Sequence, residues 1–163
     1  MKRIIHAVLF ALPLLMLQCS KPAGSPAKGA TSLLAQGIPL QVRMPQGASI
    51  QRRTAGNITE VTIKGKDEDA WFEMTVQNLP AESDDLAWNK HLQLEDVKAN
   101  IFFTRIMEED ENGFIYEQVP QDKATYHFRY VVVQGLQLYV FSSALGSNLS
   151  LEKARELMVA VQQ

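Results

Sequence analysis

Apolar and polar residues alternate through much of the chain. Over residues 58–65, Val61 and Ile63 alternate with Thr62 and Lys64; over 70–78, Phe72, Met74 and Val76 alternate with Glu73, Thr75 and Gln77. A period of two sends successive side chains to opposite faces of a strand, so both segments read as strands with one buried and one wetted face. Residues 65–69 close them as a hairpin. Two shorter strands are expected at 39–44 and 48–53, separated by a Pro45-Gln46-Gly47 turn.

The pattern then changes period. Ser83 reads as a helix N-cap, with Asp84 and Asp85 at the positive end of a helix running to about Asp96. Strands at 101–107 and 114–119 flank Asn112-Gly113, a strong signal for a two-residue hairpin turn, and strands at 125–133 and 136–142 flank Gln134-Gly135. A closing helix starts at Leu151 with Ser150 as its cap, and Leu151, Ala154, Leu157, Met158 and Val161 share one of its faces. Ile101, Phe102, Phe103 and Ile106 load both faces of one strand, as Leu138, Tyr139, Val140 and Phe141 do in another. A sheet apolar on both faces needs a cover on each, and two helices supply one apiece. The expected class is α+β, a mostly antiparallel twisted sheet covered by two helices, in one domain over residues 37–163. This order of elements resembles the PsbP-like α/β-sandwich of small thylakoid, nuclear and bacterial envelope proteins. The resemblance implies a mostly non-enzymatic role and carries over no functional residue.

The first 18 residues have a different character. Lys2 and Arg3 precede residues 4–17, which are apolar except for His6. A membrane-crossing helix needs about 20 apolar residues. This run is shorter, and Pro13 would kink it. Its size is that of a signal-peptide core, so residues 1–18 read as a signal peptide. The segment Leu15-Met16-Leu17-Gln18-Cys19 resembles the lipobox of bacterial lipoproteins, with Met16 and Gln18 where the commonest pattern has leucine and a small residue. In that family the signal is cut before the cysteine, whose thiol and new amino group receive acyl chains such as palmitate. The resemblance therefore implies a lipidated Cys19 and a cell-envelope address. Ser20 stands where the family's inner-membrane retention signal has Asp, which favours an outer membrane in a two-membrane cell. The other reading is an ordinary secretory signal cut within residues 23–30. Residues 19–36, punctuated by Pro22, Gly24, Pro26 and Gly29, read as a flexible tether.

Composition narrows the function classes. The 163 residues carry 16 basic and 18 acidic side chains, so no cationic excess is present to neutralise nucleic-acid phosphates. Loss of Lys2 and Arg3 with the signal leaves 14 basic against 18 acidic residues, and the acyl chains rather than charge would hold the membrane. One cysteine excludes an intrachain disulfide. No cofactor motif is present. The acidic run Glu108-Glu109-Asp110-Glu111 falls at a hairpin tip, where a two-residue Asn112-Gly113 turn would set Glu108 opposite Glu117. Such acids either bind a hard cation or simply keep an edge soluble; residues 67–69 have the same two readings. A Gln134-Gly135 turn would pair Phe128 with Phe141 and Tyr130 with Tyr139, with Tyr126 on the same face. These aromatics are core glue or the wall of an apolar ligand pocket. The same register would set His127 opposite Ser142 as a dyad without an orienting acid, while His91 falls on the first helix. Trp71 falls on the polar face of its strand, as an interface anchor or under a helix, and Trp88 is the remaining tryptophan. The combined expectation is a lipid-anchored envelope protein that binds or scaffolds an envelope partner, with a periplasmic carrier or assembly factor for a lipid or other apolar ligand as the alternative and an enzyme third.

Overall fold

The computed structural model describes residues 29–45, 47–67 and 70–162. Cys19, the signal segment and residues 19–28 of the expected tether lie outside them. The order of elements is β1 (Ala30–Ser32), β2 (Gln41–Arg43), β3 (Ser49–Ala55), β4 (Ile58–Asp67), β5 (Ala70–Pro80), α1 (Leu86–Lys98), β6 (Phe103–Glu109), β7 (Gly113–Gln118), β8 (Thr125–Gln134), β9 (Gln137–Ser143) and α2 (Leu151–Val161). Strands β3 to β9 form one antiparallel sheet in the order β3-β4-β5-β9-β8-β7-β6, and β1 pairs with β2 separately. The class is α+β, mostly antiparallel sheet with two helices.

Alternation assigns the faces as expected. Val61, Ile63, Phe72, Met74, Val76, Ile115, Phe128, Tyr130, Tyr139 and Phe141 are buried in the main core, together with Ala154, Leu157, Met158 and Val161 of α2. Ser150 caps α2 by accepting the amide of Lys153. The opposite face carries Phe114 and Tyr116 with Val97, Leu94, Phe103 and Ile106, and beside them Val131, Leu138 and Val140 with Leu86. Helix α1 covers this side. Asp85, not Ser83, is its N-cap and accepts the amides of Ala87 and Trp88; Ser83 instead holds the amide of Asp85. Buried Asn89 donates to the carbonyls of Ser83 and Asp85 and ties this entry down.

Four expectations need correction. Ile101 and Phe102, expected within a strand, lie in the turn before β6 with 88% and 45% of their surface exposed. The tether does not reach Gln36. Residues 30–32 form β1, a 3₁₀ turn spans Leu34–Gln36, and Leu33 is buried with Ile38, Leu40 and Val42 in the main core. Leu33 is the cause, because an apolar anchor draws its neighbours in even from a stretch rich in small residues. The β8–β9 register also differs. Its turn is Gly135-Leu136, with Gln134 opposite Gln137, so Tyr130 faces Phe141 and Val132 faces Tyr139. Gly135 has φ 59°, which suits the first central position of a tight hairpin turn. The shift is two residues, so every side chain keeps its face. Finally, Glu108 faces Ile115, and Glu117 faces Arg105, because two register shifts interrupt the β6–β7 ladder. These bulges remove the expected repulsion between the two acids.

Candidate functional site

Helix α1 packs mainly on β6 and β8. On the same side of the sheet, β3, β4 and β5 have no helix over them, and their outward positions are polar. A groove of about 590 Å³ runs between this open half-face and α1. Its floor follows from strand register. Thr62, Thr75, Ser142 and Arg129 stand in one row across β4, β5, β9 and β8. The Thr75 and Ser142 hydroxyls lie 2.9 Å apart. In the next row the Gln77 amide donates to the Glu60 carboxylate at 2.9 Å, and on the other side Lys64 and Glu73 pair at 3.0 Å. Gln93 and Asp96 of α1 form the wall, where Asp96 pairs with Arg129 at 2.7 Å and the Gln93 side chain accepts from the same guanidinium. The surface combines hydroxyls, amides and paired charges already held in place with Leu79, Val140 and Leu145 at its sides, and is suited to exchanging hydrogen bonds with a mainly polar partner. Preorganised groups of this kind lose little rotamer freedom on binding.

Tyr116 lines the groove and His127 lies behind it, their rings stacked at 5.5 Å. Burial pushes the Tyr116 phenol up from its ordinary value, against a smaller opposing effect from Arg129. Burial pushes His127 down, which favours the neutral ring. Its Nδ1 lies 2.9 Å from the Ser143 hydroxyl and its Nε2 3.2 Å from that of Thr125. Thr125 donates its single proton to the Gln118 carbonyl, so it accepts from Nε2–H, and Nδ1 accepts from Ser143. The expected pairing with Ser142 is therefore replaced by one with Ser143. The second nitrogen meets a hydroxyl, so no carboxylate orients the ring as an acyl-transfer triad requires. His91 is exposed on α1, 6.3 Å from the ring of half-exposed Trp88.

Phe128, Tyr130, Tyr139 and Phe141 are between 0% and 6% exposed and pack against α2 as part of the main core. None of them lines the polar groove. The acidic tip is engaged elsewhere. The Arg155 Nε of α2 donates to Glu108 at 2.6 Å, and Lys90 of α1 pairs with Glu109 at 3.0 Å. Asp110 accepts the amides of Asn112 and Gly113 at 2.9 and 2.6 Å. Among the described residues, no three His, Cys, Asp or Glu side chains converge where a metal ion could sit. The side chain of Trp71, and residues 68 and 69, lie outside the description.

Sequence reasoning missed the groove residues as a group. Thr62, Thr75 and Gln77 were visible only as the wetted face of two strands, and nothing local says that α1 leaves that face open. Among the described residues, no helix is long and apolar enough to cross a membrane. No protein-family model, no curated protein and no solved structure matches this chain.

Proposed function

We propose that this protein is a lipid-anchored, non-enzymatic binding module of the cell envelope, held by acyl chains on Cys19, whose recognition surface is the polar groove between α1 and the open half of the sheet. The anchor and the envelope address rest on the lipobox resemblance, and Ser20 favours the outer membrane. The element order, with helices on both faces of an antiparallel sheet, resembles the PsbP-like α/β-sandwich, whose members are mostly non-enzymatic, and this supports a binding role. The observation that carries the functional reading is the uncovered half-face, where Thr62, Thr75, Gln77, Glu60 and Ser142 line a cleft of about 590 Å³. A lining in which hydroxyls, amides and carboxylates stand beside Leu79, Val140 and Leu145 suits a partner that offers mainly hydrogen-bonding groups, as in an extended peptide or a hydroxyl-rich envelope polymer.

The test is photo-crosslinking from a benzophenone side chain at Thr62 in native membranes, repeated with the bulky variant Thr62→Arg in affinity capture. The expected result is a crosslinked partner that Thr62→Arg fails to capture while its thermal midpoint stays near that of the wild type. Equal capture by a folded Thr62→Arg variant rejects the groove as the binding surface.

The second reading, a carrier of an apolar ligand, draws on a smaller cleft of about 320 Å³ where α2 meets Met44, Pro45, Phe72 and Met74. Saturable uptake of N-phenylnaphthylamine that Leu157→Lys abolishes in a folded protein would put that reading first.

A further inference from the structure

We propose that the edge of the main sheet along β3 takes up an extended acidic segment of a partner protein as an eighth strand, with carboxylates set against Arg52 and Arg53. The site stands apart from the polar groove, which no residue of β3 lines. Among the described residues, β4 is the only sheet neighbour of β3. All seven residues of β3 pair with β4 in one unbroken register, from Ser49 opposite Lys64 to Ala55 opposite Ile58. In a regular edge strand every second residue turns its amide and carbonyl away from the neighbour, so β3 offers a row of donors and acceptors to an incoming strand. Its side chains are exposed apart from half-buried Ile50. The opposite edge, β6, is built differently. Two register shifts interrupt its ladder, and its end is tied down by Arg155 on Glu108 and Lys90 on Glu109. Bulges of this kind turn an edge away from new strands.

Charge selects the occupant. Arg52 and Arg53 are consecutive, so they stand on opposite faces of the sheet, Arg52 opposite Val61 on the α2 side and Arg53 opposite Glu60 on the open side. Among the described residues, neither has a carboxylate within ion-pair distance. The Arg52 guanidinium lies against Gly37, 3.6 Å from where a Cβ would stand, and the Glu60 carboxylate accepts from Gln77 instead. The chain carries 18 acidic against 16 basic side chains, so two unmatched cations side by side are a local feature of this edge. They fit a strand with two adjacent acids, one for each face, and opposite charges across a strand pair are favourable. Ile50, beside Ile63, adds a place for an apolar residue on the same face as Arg52. A second copy of β3 is a poor occupant, because full-length antiparallel pairing sets Arg52 against Arg52, and like charges directly opposed are destabilising. The charge that holds off a copy attracts an acidic strand.

The probe is a fluorescein-labelled peptide, Thr-Thr-Glu-Glu-Thr-Val-Thr, titrated with the full, membrane-processed chain in mild detergent and followed by anisotropy. Saturable binding is expected. Arg52→Glu combined with Arg53→Glu should weaken it by about tenfold or more with the thermal midpoint unchanged, and the peptide Thr-Thr-Lys-Lys-Thr-Val-Thr should bind that variant in its place. Backbone N-methylation of the acidic peptide tests the strand geometry on the unaltered protein, and it decides the matter should the double variant unfold. Methyl groups on one alternate set of residues should abolish binding, and on the other set should be tolerated, because a strand turns only every second amide toward its neighbour. No binding to the wild type leaves the arginines as a guard against self-pairing and overturns the proposal. Equal binding by the folded double variant, or the same effect from both methylated sets, overturns it as well.

Discussion

His127 has both ring nitrogens engaged by hydroxyls and a ring stacked on Tyr116. Burial depresses its pKa in the folded state, so the unfolded chain binds the extra proton more readily. The stability this contributes is complete above the ordinary histidine value of about 6.5 and is lost as pH falls through the depressed folded value. Thermal midpoints measured from pH 7 down to 5 should therefore fall in the wild type, and His127→Gln should flatten that fall while lowering the midpoint at pH 7. Phe141 makes the companion case among apolar residues. It is fully buried beneath α2, so Phe141→Ala should destabilise by about 3–5 kcal/mol, read by urea titration. Any capture of a partner at the proposed groove should then weaken only in proportion to unfolding. The face of each aromatic was legible because side-chain direction on a strand follows parity alone. The partner of His127 was not, since it depends on where the opposing strand starts.

At the scale of elements, the Asn112-Gly113 pair works differently from its sequence signature. Gly113 does not have a positive φ. It begins β7, and a Cβ there would lie 2.5 Å from the Arg129 carbonyl oxygen and 3.0 Å from the Met158 Cε. The glycine is needed for close approach of β7 to β8 and α2, and the turn itself is held by the Asp110 carboxylate. Gly113→Ala should accordingly cost about 1–3 kcal/mol by forcing backbone apart, with faster amide exchange along β7 and β8 as the diagnostic readout. A glycine serving only the turn would leave that exchange unchanged. The acidic tip has a related role. Glu108 reaches Arg155 on α2 and Glu109 reaches Lys90 on α1, so one hairpin links helices on opposite faces of the sheet. The charges were plain in the sequence, but their partners lie up to 47 residues away in it and come together only when both helices have packed.

For the molecule as a whole, the proposed anchor at Cys19 and the open half-face of the sheet are the features to test. If acyl chains on Cys19 hold the membrane, Cys19→Ser should either release the protein into the soluble fraction or leave an uncut precursor. Fractionation with mass measurement of the mature chain checks this, and an unchanged mass in the membrane fraction rejects lipidation. The main-core face of the sheet is closed by α2 together with Leu33, Ile38, Leu40 and Val42 of the N-terminal segment. The other face is closed only over part of its width.

The local residue pattern by itself determined most of the strand segments and the faces of their side chains, the two helices and the cap of α2, because these depend on near neighbours in the chain. Ile101 and Phe102, read as strand, instead lie exposed in the turn before β6. Tertiary structure decided the rest. Which Ser meets His127, which acid meets Arg105, and whether residues 30–36 join the core all depend on register, bulges and the burial of single anchors such as Leu33. The open polar groove depends on how far a 13-residue α1 extends across a seven-stranded sheet. No local pattern encodes that, since the same wetted face of Thr62, Thr75 and Gln77 arises whether its neighbour is water, a helix or a partner.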